Sequence, residues 1–251
     1  MHRRLVICIF ILLLIGICTE TGRSEQRQTW ALCFDVNPLG YALGDAFERA
    51  LLDGGWRNSH VNVVTTNSRP AFLHGMHWLQ SVAHSEDTVI FYFSGHGYTG
   101  GMGIGSEAVS YASLDDEFDK VACRGMFIIL DSCHSGSAIP LLEESGRVIL
   151  TSCGSGEISG YFSEAVISAL SVAADCNGNN DGSVSAEEIA SYVMSDWHIE
   201  QYRPQVEDGY QGNMSLLTTL WGDRAAEVFQ VYGQQTMQMF TDDRWLRQSF
   251  I

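Results

Sequence analysis

Two short segments hold the side chains with the most chemical potential in this 251-residue chain: Phe93-Ser94-Gly95-His96-Gly97 and Asp131-Ser132-Cys133-His134-Ser135-Gly136. A thiol of pKa about 8.5 becomes an effective nucleophile when a nearby imidazole or a positive helix terminus stabilises its thiolate. Cys133 and His96 can form such a pair, and the glycines around His96 let the backbone turn sharply and approach a ligand closely. The backbone N–H groups of Cys133 and Gly97 are candidates to stabilise an oxyanion. A lone Cys is usually a small buried hydrophobe, and a lone His near a strand end is usually a satisfied structural residue. It is the combination, each at the end of an apolar run and each wrapped in Gly or Ser, that points to chemistry. His134 follows the nucleophile directly, so its side chain points elsewhere and a general-base role is not expected. Cys153, in Thr151-Ser152-Cys153-Gly154, has no neighbouring His and is read as structural.

These groups must be positioned by the elements around them. Residues 30–35, 60–66, 88–94, 126–131 and 147–152 read as strands, three of them nearly continuous apolar runs (VIFYF, MFIIL, VIL) of the kind covered on both faces of a parallel sheet. Helical spacing appears in Leu43, Ala46, Phe47, Ala50 and Leu51, and again in Ile158, Tyr161, Phe162, Ala165, Val166 and Ala169. This alternation predicts an α/β fold with an open, mostly parallel sheet and right-handed crossovers. If the strands ending at Ser94 and Asp131 are parallel neighbours they lie roughly 5 Å apart, or about twice that with one strand between, and His96 and Cys133 then face one another across a substrate-sized gap.

Composition narrows the function. Thirty acidic against 14 basic residues give a net charge of −16 without any Lys/Arg cluster, which excludes a phosphate backbone as partner. Seven Cys are too few for a disulfide scaffold of this length, and no CxxC pair suggests zinc. His2-Arg3-Arg4 followed by an apolar run from Leu5 to Ile17 reads as a secretory signal, shorter than the roughly 20 residues of a membrane span. Residues 1–24 are therefore expected to be a signal peptide. The location expected is secreted, periplasmic or extracellular, with a membrane contact only if the segment stays uncleaved. Residues 28–222 are expected to form the main domain and 223–251 a helical appendage of a monomer.

The pair "YFSGHG" and "DSCHSG", followed by "RVILTSCGSGE" and a helix led by Tyr-Phe-Ser, resembles the caspase-like cysteine peptidases. The similarity is to their metacaspase and paracaspase branch, peptidase family C14 of prokaryotic type, over roughly residues 30 to 220. The resemblance implies a three-layer caspase-like fold, with Cys133 as nucleophile, His96 as base and acid, an acyl-enzyme, and an oxyanion site from the Gly97 and Cys133 amides. By position it also implies an acidic pocket for a substrate Arg or Lys, built from Asp131, Asp45 in "LGDAFERAL" and Ser94. Charge-assisted bonds from such a carboxylate pair to a guanidinium agree physically. Asp45 also reads as a solvated first-turn helix acid. The peptidase needs no cofactor for catalysis. Alternatives are a catalytically silent caspase-like binding module and a legumain-like peptidase or transpeptidase acting after Asn.

Residues 177–188 also fit an EF-hand-like calcium loop. Asn177, Asn179, Asp181, Ser185 and Glu188 fall at loop positions 1, 3, 5, 9 and 12, with Ser183 at 7 and Gly182 at the turn. Asp175 can join in a lengthened loop over 175–188. Finally, Lys120 and Arg124 are the only basic residues between His96 and Cys133, and in some relatives that connection is cut after basic residues. A surface pair of Asp119 with Lys120 is the plainer reading.

Overall fold

The strands alternate so strictly between two apolar faces that a sheet covered on both sides is the only way to bury them. Ala31, Cys33, Ile90, Tyr92, Phe127, Ile129, Val148 and Leu150 face one core, while Leu32, Phe34, Val89, Phe91, Phe93, Met126, Ile128, Leu130 and Ile149 face the other. The computed structural model describes residues 27–36, 42–170, 174–196 and 198–218. The expected signal segment (1–24) and appendage (223–251) lie outside the described residues, apart from which no described helix is long and apolar enough to cross a membrane.

The chain runs β1 (Thr29–Asp35), α1 (Leu43–Asp53), β2 (Val61–Val64), α2 (Arg69–Val82) and β3 (Thr88–Ser94). A small antiparallel sheet of β4 (Gly97–Tyr98), β5 (Gly101–Ile104) and β6 (Glu107–Ser110) follows, then α3 (Tyr111–Phe118), β7 (Gly125–Asp131), α4 (Ile139–Leu142) and β8 (Arg147–Thr151). The remainder is α5 (Phe162–Ser168), α6 (Ala174–Asn177), β9 (Ser183–Ser185), α7 (Ala186–Met194), β10 (Gln205–Asp208) and β11 (Ser215–Thr218). The main sheet has six strands in the order β10-β8-β7-β3-β1-β2, all parallel except β10.

The five strands expected from the sequence are all present, that at 60–66 shortened to Val61–Val64. The α/β architecture with a mostly parallel central sheet flanked by helices is the expected one. Besides the four-residue helices α4 and α6, two longer helices have no counterpart in the periodicity, and both carry local signals. Ser68 caps α2 by accepting the Ala71 N–H, with Pro in its first turn, and Ser110 caps α3 by accepting the Ser113 N–H. The helix expected from Ile158 begins only at Phe162. Ile158 is 65% exposed and Tyr161 is left-handed (φ 58°), because Ser159 turns aside to hydrogen-bond Asp131 before the helix can start.

Between α3 and β8 a buried cation organises its surroundings. Arg147 pairs with Asp115 at 2.5 Å, Asp119 at 2.7 Å and Glu144 at 2.9 Å, and its guanidinium lies 5.7 Å from the centre of the Phe118 ring. The three carboxylates sit close enough to hold a metal, but the guanidinium already satisfies them. Asp119 is thus committed to Arg147, and Lys120 pairs with Glu117 instead of the expected Asp119.

Candidate active site

The register of the central strands assembles the site. Ser94 at the end of β3 pairs with Asp131 of β7 on one side and with Asp35 of β1 on the other. Three polar residues therefore stand in a row at the carboxyl ends of adjacent parallel strands, where open α/β sheets gather functional groups. Two steps beyond Ser94 and Asp131 come His96 and Cys133, so the proposed pair leaves adjacent strands in step. The Gly95 N–H donates to the Asp131 carbonyl at 3.1 Å. His96 is exposed and Cys133 half-buried, and no hydrogen bond joins imidazole to thiol. Such looseness is common before substrate binds.

The two segments touch through their backbones. A Cβ on Gly97 would fall 2.2 Å from the Cys133 carbonyl oxygen and 2.5 Å from Ser132 Oγ, so only glycine fits. Around Cys133 almost every amide is spent. Ser132 N–H donates to Ser152 Oγ, His134 to the Glu157 carbonyl, Ser135 to Ser132, Gly136 to Cys153 and Ser137 to His134. The Cys133 N–H alone in this run makes no hydrogen bond among the described residues. Gly97 is placed likewise. The Gly103 N–H donates to the His96 carbonyl at 2.8 Å, which makes Gly97 and Met102 the non-hydrogen-bonded pair of the β4–β5 ladder. The Gly97 N–H therefore points away from β5.

His134 takes a left-handed conformation (φ 60°), which costs a non-glycine residue on the order of 1–3 kcal/mol and persists only when its surroundings over-determine it. Three contacts do so: its N–H to the Glu157 carbonyl at 2.7 Å, its Nδ1 at 3.1 Å from the Ser155 carbonyl, and its own carbonyl accepting Ser137 Oγ–H at 2.7 Å. The ring is thereby turned to the loop after β8. Cys153 is fully buried, its thiol resting on the Ser132 and Glu157 carbonyls.

Asp131 accepts hydroxyl bonds from Ser159 at 2.5 Å and from Ser163, which is itself bonded to Tyr92 Oη at 2.7 Å. Burial raises the Asp131 carboxyl above its ordinary pKa, against the pull of these bonds, and the Asp35 charge adds to the rise. Ser94 Oγ is buried beside the Tyr92 hydroxyl and lacks a well-formed hydrogen bond among the described residues. Asp45 is exposed in the first turn of α1, so the structure does not bring it to this row. The buried carboxylate that stands there is Asp35, 7% exposed, which accepts the Gly44 N–H at 2.7 Å. Its signal was present in the sequence: "ALCFD" ends an apolar strand in Asp, as "FIILD" does. Glu164, in the first turn of α5, was also missed; burial lifts its carboxyl to about 7, with the Asp131 charge contributing.

In the candidate calcium loop, Asn177 belongs to α6, and Asp175 takes the role expected of the first loop residue, its Oδ2 accepting the Gly182 N–H at 3.2 Å. Asn179 Oδ1 accepts the Asp181 N–H, Asp181 Oδ1 accepts the Ser183 N–H, and Glu188 Oε1 accepts the Asn179 N–H. Ser185 and Glu188 also form a capping box on α7, which explains their spacing without a metal. Val184 pairs with Leu217 of β11, bracing the loop.

The chain also matches known proteins in sequence and in fold. Residues 56–211 match the Peptidase C13 family. Metacaspase-1 of Coccidioides immitis (strain RS) is 31% identical over 149 residues, covering 51% of this chain and 32% of that protein. Metacaspase-1 of Ajellomyces capsulatus is 30% identical over 149 residues, covering 51% and 41%. The chain thus spans about a third to two fifths of these relatives. Among solved structures, drICE aligns with a TM-score of 0.55 at 14% identity, covering 76% of this chain and 92% of that one. Caspase-1 from Spodoptera frugiperda aligns at 0.53 and 11%, covering 78% and 92%. The caspase-like cysteine-peptidase resemblance and its fold are therefore found, with the matched family numbered C13 where the motifs suggested C14.

Proposed function

We propose that this chain, which belongs to the Peptidase C13 family, is a cysteine endopeptidase working through Cys133 and His96. The observation that carries the proposal is the pair of amides, that of Cys133 without a hydrogen-bond partner among the described residues and that of Gly97 pointing away from β5, held in backbone contact beside the thiol. In the mechanism, His96 takes the thiol proton and Cys133 Sγ attacks the scissile carbonyl carbon. The oxygen becomes an oxyanion between the two N–H groups, whose fixed dipoles favour the charge that develops. The tetrahedral species collapses as the C–N bond breaks and His96 gives its proton to the leaving amine. Water, losing a proton to His96, then attacks the thioester, and the acid leaves as Cys133 recovers its proton.

The preference we propose is for Arg or Lys before the scissile bond. It is supported by Asp131, Asp35 and the Ser94 hydroxyl in one row, a set that can receive a guanidinium with charge-assisted bonds. A peptide library varied at that residue tests both levels, with Cys133→Ala as blank. Cleavage after Arg or Lys, lost in Asp131→Asn, is expected. Cleavage after Asn would favour the legumain-like alternative, and efficient cleavage after Asp would overturn the pocket. Absence of turnover and of labelling by thiol-reactive peptides would leave a silent binding module.

Secretion after cleavage of the amino-terminal segment is part of the same proposal, supported by its basic and apolar pattern; amino-terminal sequencing of exported protein tests it. A second reading concerns calcium at Asp175, Asn177, Asn179, Asp181, Ser183, Ser185 and Glu188, favoured by the way Asp175 and Glu188 close the loop from its two ends. Calcium should raise the thermal midpoint of the full chain, and Asp175→Asn should abolish the rise. If calcium changes neither stability nor activity, this reading fails.

A further inference from the structure

The two oxyanion donors belong to segments that are 36 positions apart in sequence, Gly97 on the β4–β5 hairpin and Cys133 on the turn after β7. An oxyanion site works only if the distance between its donors is held, since misplacement of reacting groups by about 1 Å costs on the order of a hundredfold in rate. Below the donors, the Gly95 N–H to Asp131 bond joins the strands. Beyond them, one side chain does the same. Ser137 Oγ donates to the His134 carbonyl at 2.7 Å and accepts the N–H of Gly100 at 2.9 Å. Gly100 sits at the tip of the hairpin with φ +92°, and His134 is the left-handed residue directly after the nucleophile. A single hydroxyl therefore stitches the tip of the His96-bearing segment to the strained turn that presents Cys133. It uses both its donor and its acceptor capacity to do so.

Resting on the cysteine-peptidase reading above, we infer that Ser137 is a positioning residue for the reaction. Its hydroxyl sets the separation of the Gly97 and Cys133 amides and helps hold His134 left-handed. It touches no reacting atom. In Ser137→Ala both tethers vanish at once, leaving the hairpin tip free to move relative to the nucleophile turn.

The test compares wild type, Ser137→Ala and Ser137→Thr on one peptide substrate. Ser137→Ala should lower kcat about tenfold or more with KM within about threefold, and Ser137→Thr, which keeps the hydroxyl, should recover most of the rate. The inhibition constant of a peptide aldehyde, whose thiohemiacetal places an oxygen between the two amides, should rise by the same factor as kcat/KM falls. Alkylation of Cys133 by iodoacetamide, which needs no oxyanion site, should be unchanged. Should Ser137→Ala not fold, Ser137→Val, the hydroxyl-free counterpart of Ser137→Thr, is read in the same way. An active wild type with Ser137→Ala of equal kcat, or with alkylation and aldehyde binding falling together, overturns the inference. A wild type that turns over no peptide overturns instead the reading on which it rests.

Discussion

Gly97→Ala is the sharpest perturbation the site offers, because its consequence follows from geometry alone. The added Cβ would meet the Cys133 carbonyl oxygen at 2.2 Å, Ser132 Oγ at 2.5 Å and Ser132 Cβ at 2.7 Å, whereas ordinary contacts begin near 3.4 Å. The obstructing atoms include backbone, so the hairpin and the nucleophile turn must part by about 1 Å. No positive φ is involved at this position, so the effect is steric. Parting the segments separates the two amide donors, and loss of one oxyanion donor costs about 100- to 1,000-fold in kcat, or roughly 3–4 kcal/mol. The crowding itself should cost roughly 1–3 kcal/mol of stability. The assay is steady-state hydrolysis of an Arg-ending fluorogenic peptide, paired with a urea midpoint and the rate of Cys133 alkylation by iodoacetamide. The expected result is kcat reduced about 100-fold, KM changed little and alkylation retained. A folded Gly97→Ala enzyme with kcat within about threefold of wild type would refute the reasoning, since the two segments would then not need their backbone contact.

Two further outcomes test the electrostatics. Glu164 binds its proton more tightly folded (about 7) than unfolded (4.5), so its contribution to stability is complete below about pH 4.5 and is lost as the pH climbs through about 7. Glu164→Gln should match wild type near pH 4.5 in urea titrations and exceed it above pH 7, by at most about 3 kcal/mol; an equal gap at both pH values would contradict the assignment. Arg147→Ala removes a buried guanidinium from three partly exposed carboxylates that water can then solvate, and should cost roughly 1–3 kcal/mol of unfolding free energy, read from the urea midpoint, while an unchanged midpoint would show the network to be dispensable.

Much of the fold was legible because its strands are buried on both faces and read as unbroken apolar runs. Thr88–Ser94 and Gly125–Asp131 ended where the first polar residues said they should. The helix α2 is announced by Ser68 and the following Pro, but its buried face of Phe72, Gly75, Met76 and Leu79 includes a glycine, which weakens the apolar pattern. The start of α5 could not be read at all: Ile158 keeps helical spacing, and only the pull of Asp131 on Ser159 shows why the helix waits for Phe162. At the site the same division holds. Position in a motif points to Asp45, whereas burial shows that Asp35 stands in the row.

The residue types that can do chemistry, and their places at the ends of apolar strands, are properties of the sequence by itself: His96 between glycines, Cys133 after Asp131, Ser94 two before the histidine. These are local facts, set by backbone sterics and by the period of burial along each strand. Only the tertiary structure decided that β3 and β7 are neighbours in register, that Asp35 joins the row, and that the Cys133 N–H has no hydrogen-bond partner among the described residues while the Gly97 N–H points away from β5. Strand order and amide satisfaction depend on contacts between segments far apart in the chain. No periodicity within either segment records which partner the other will meet.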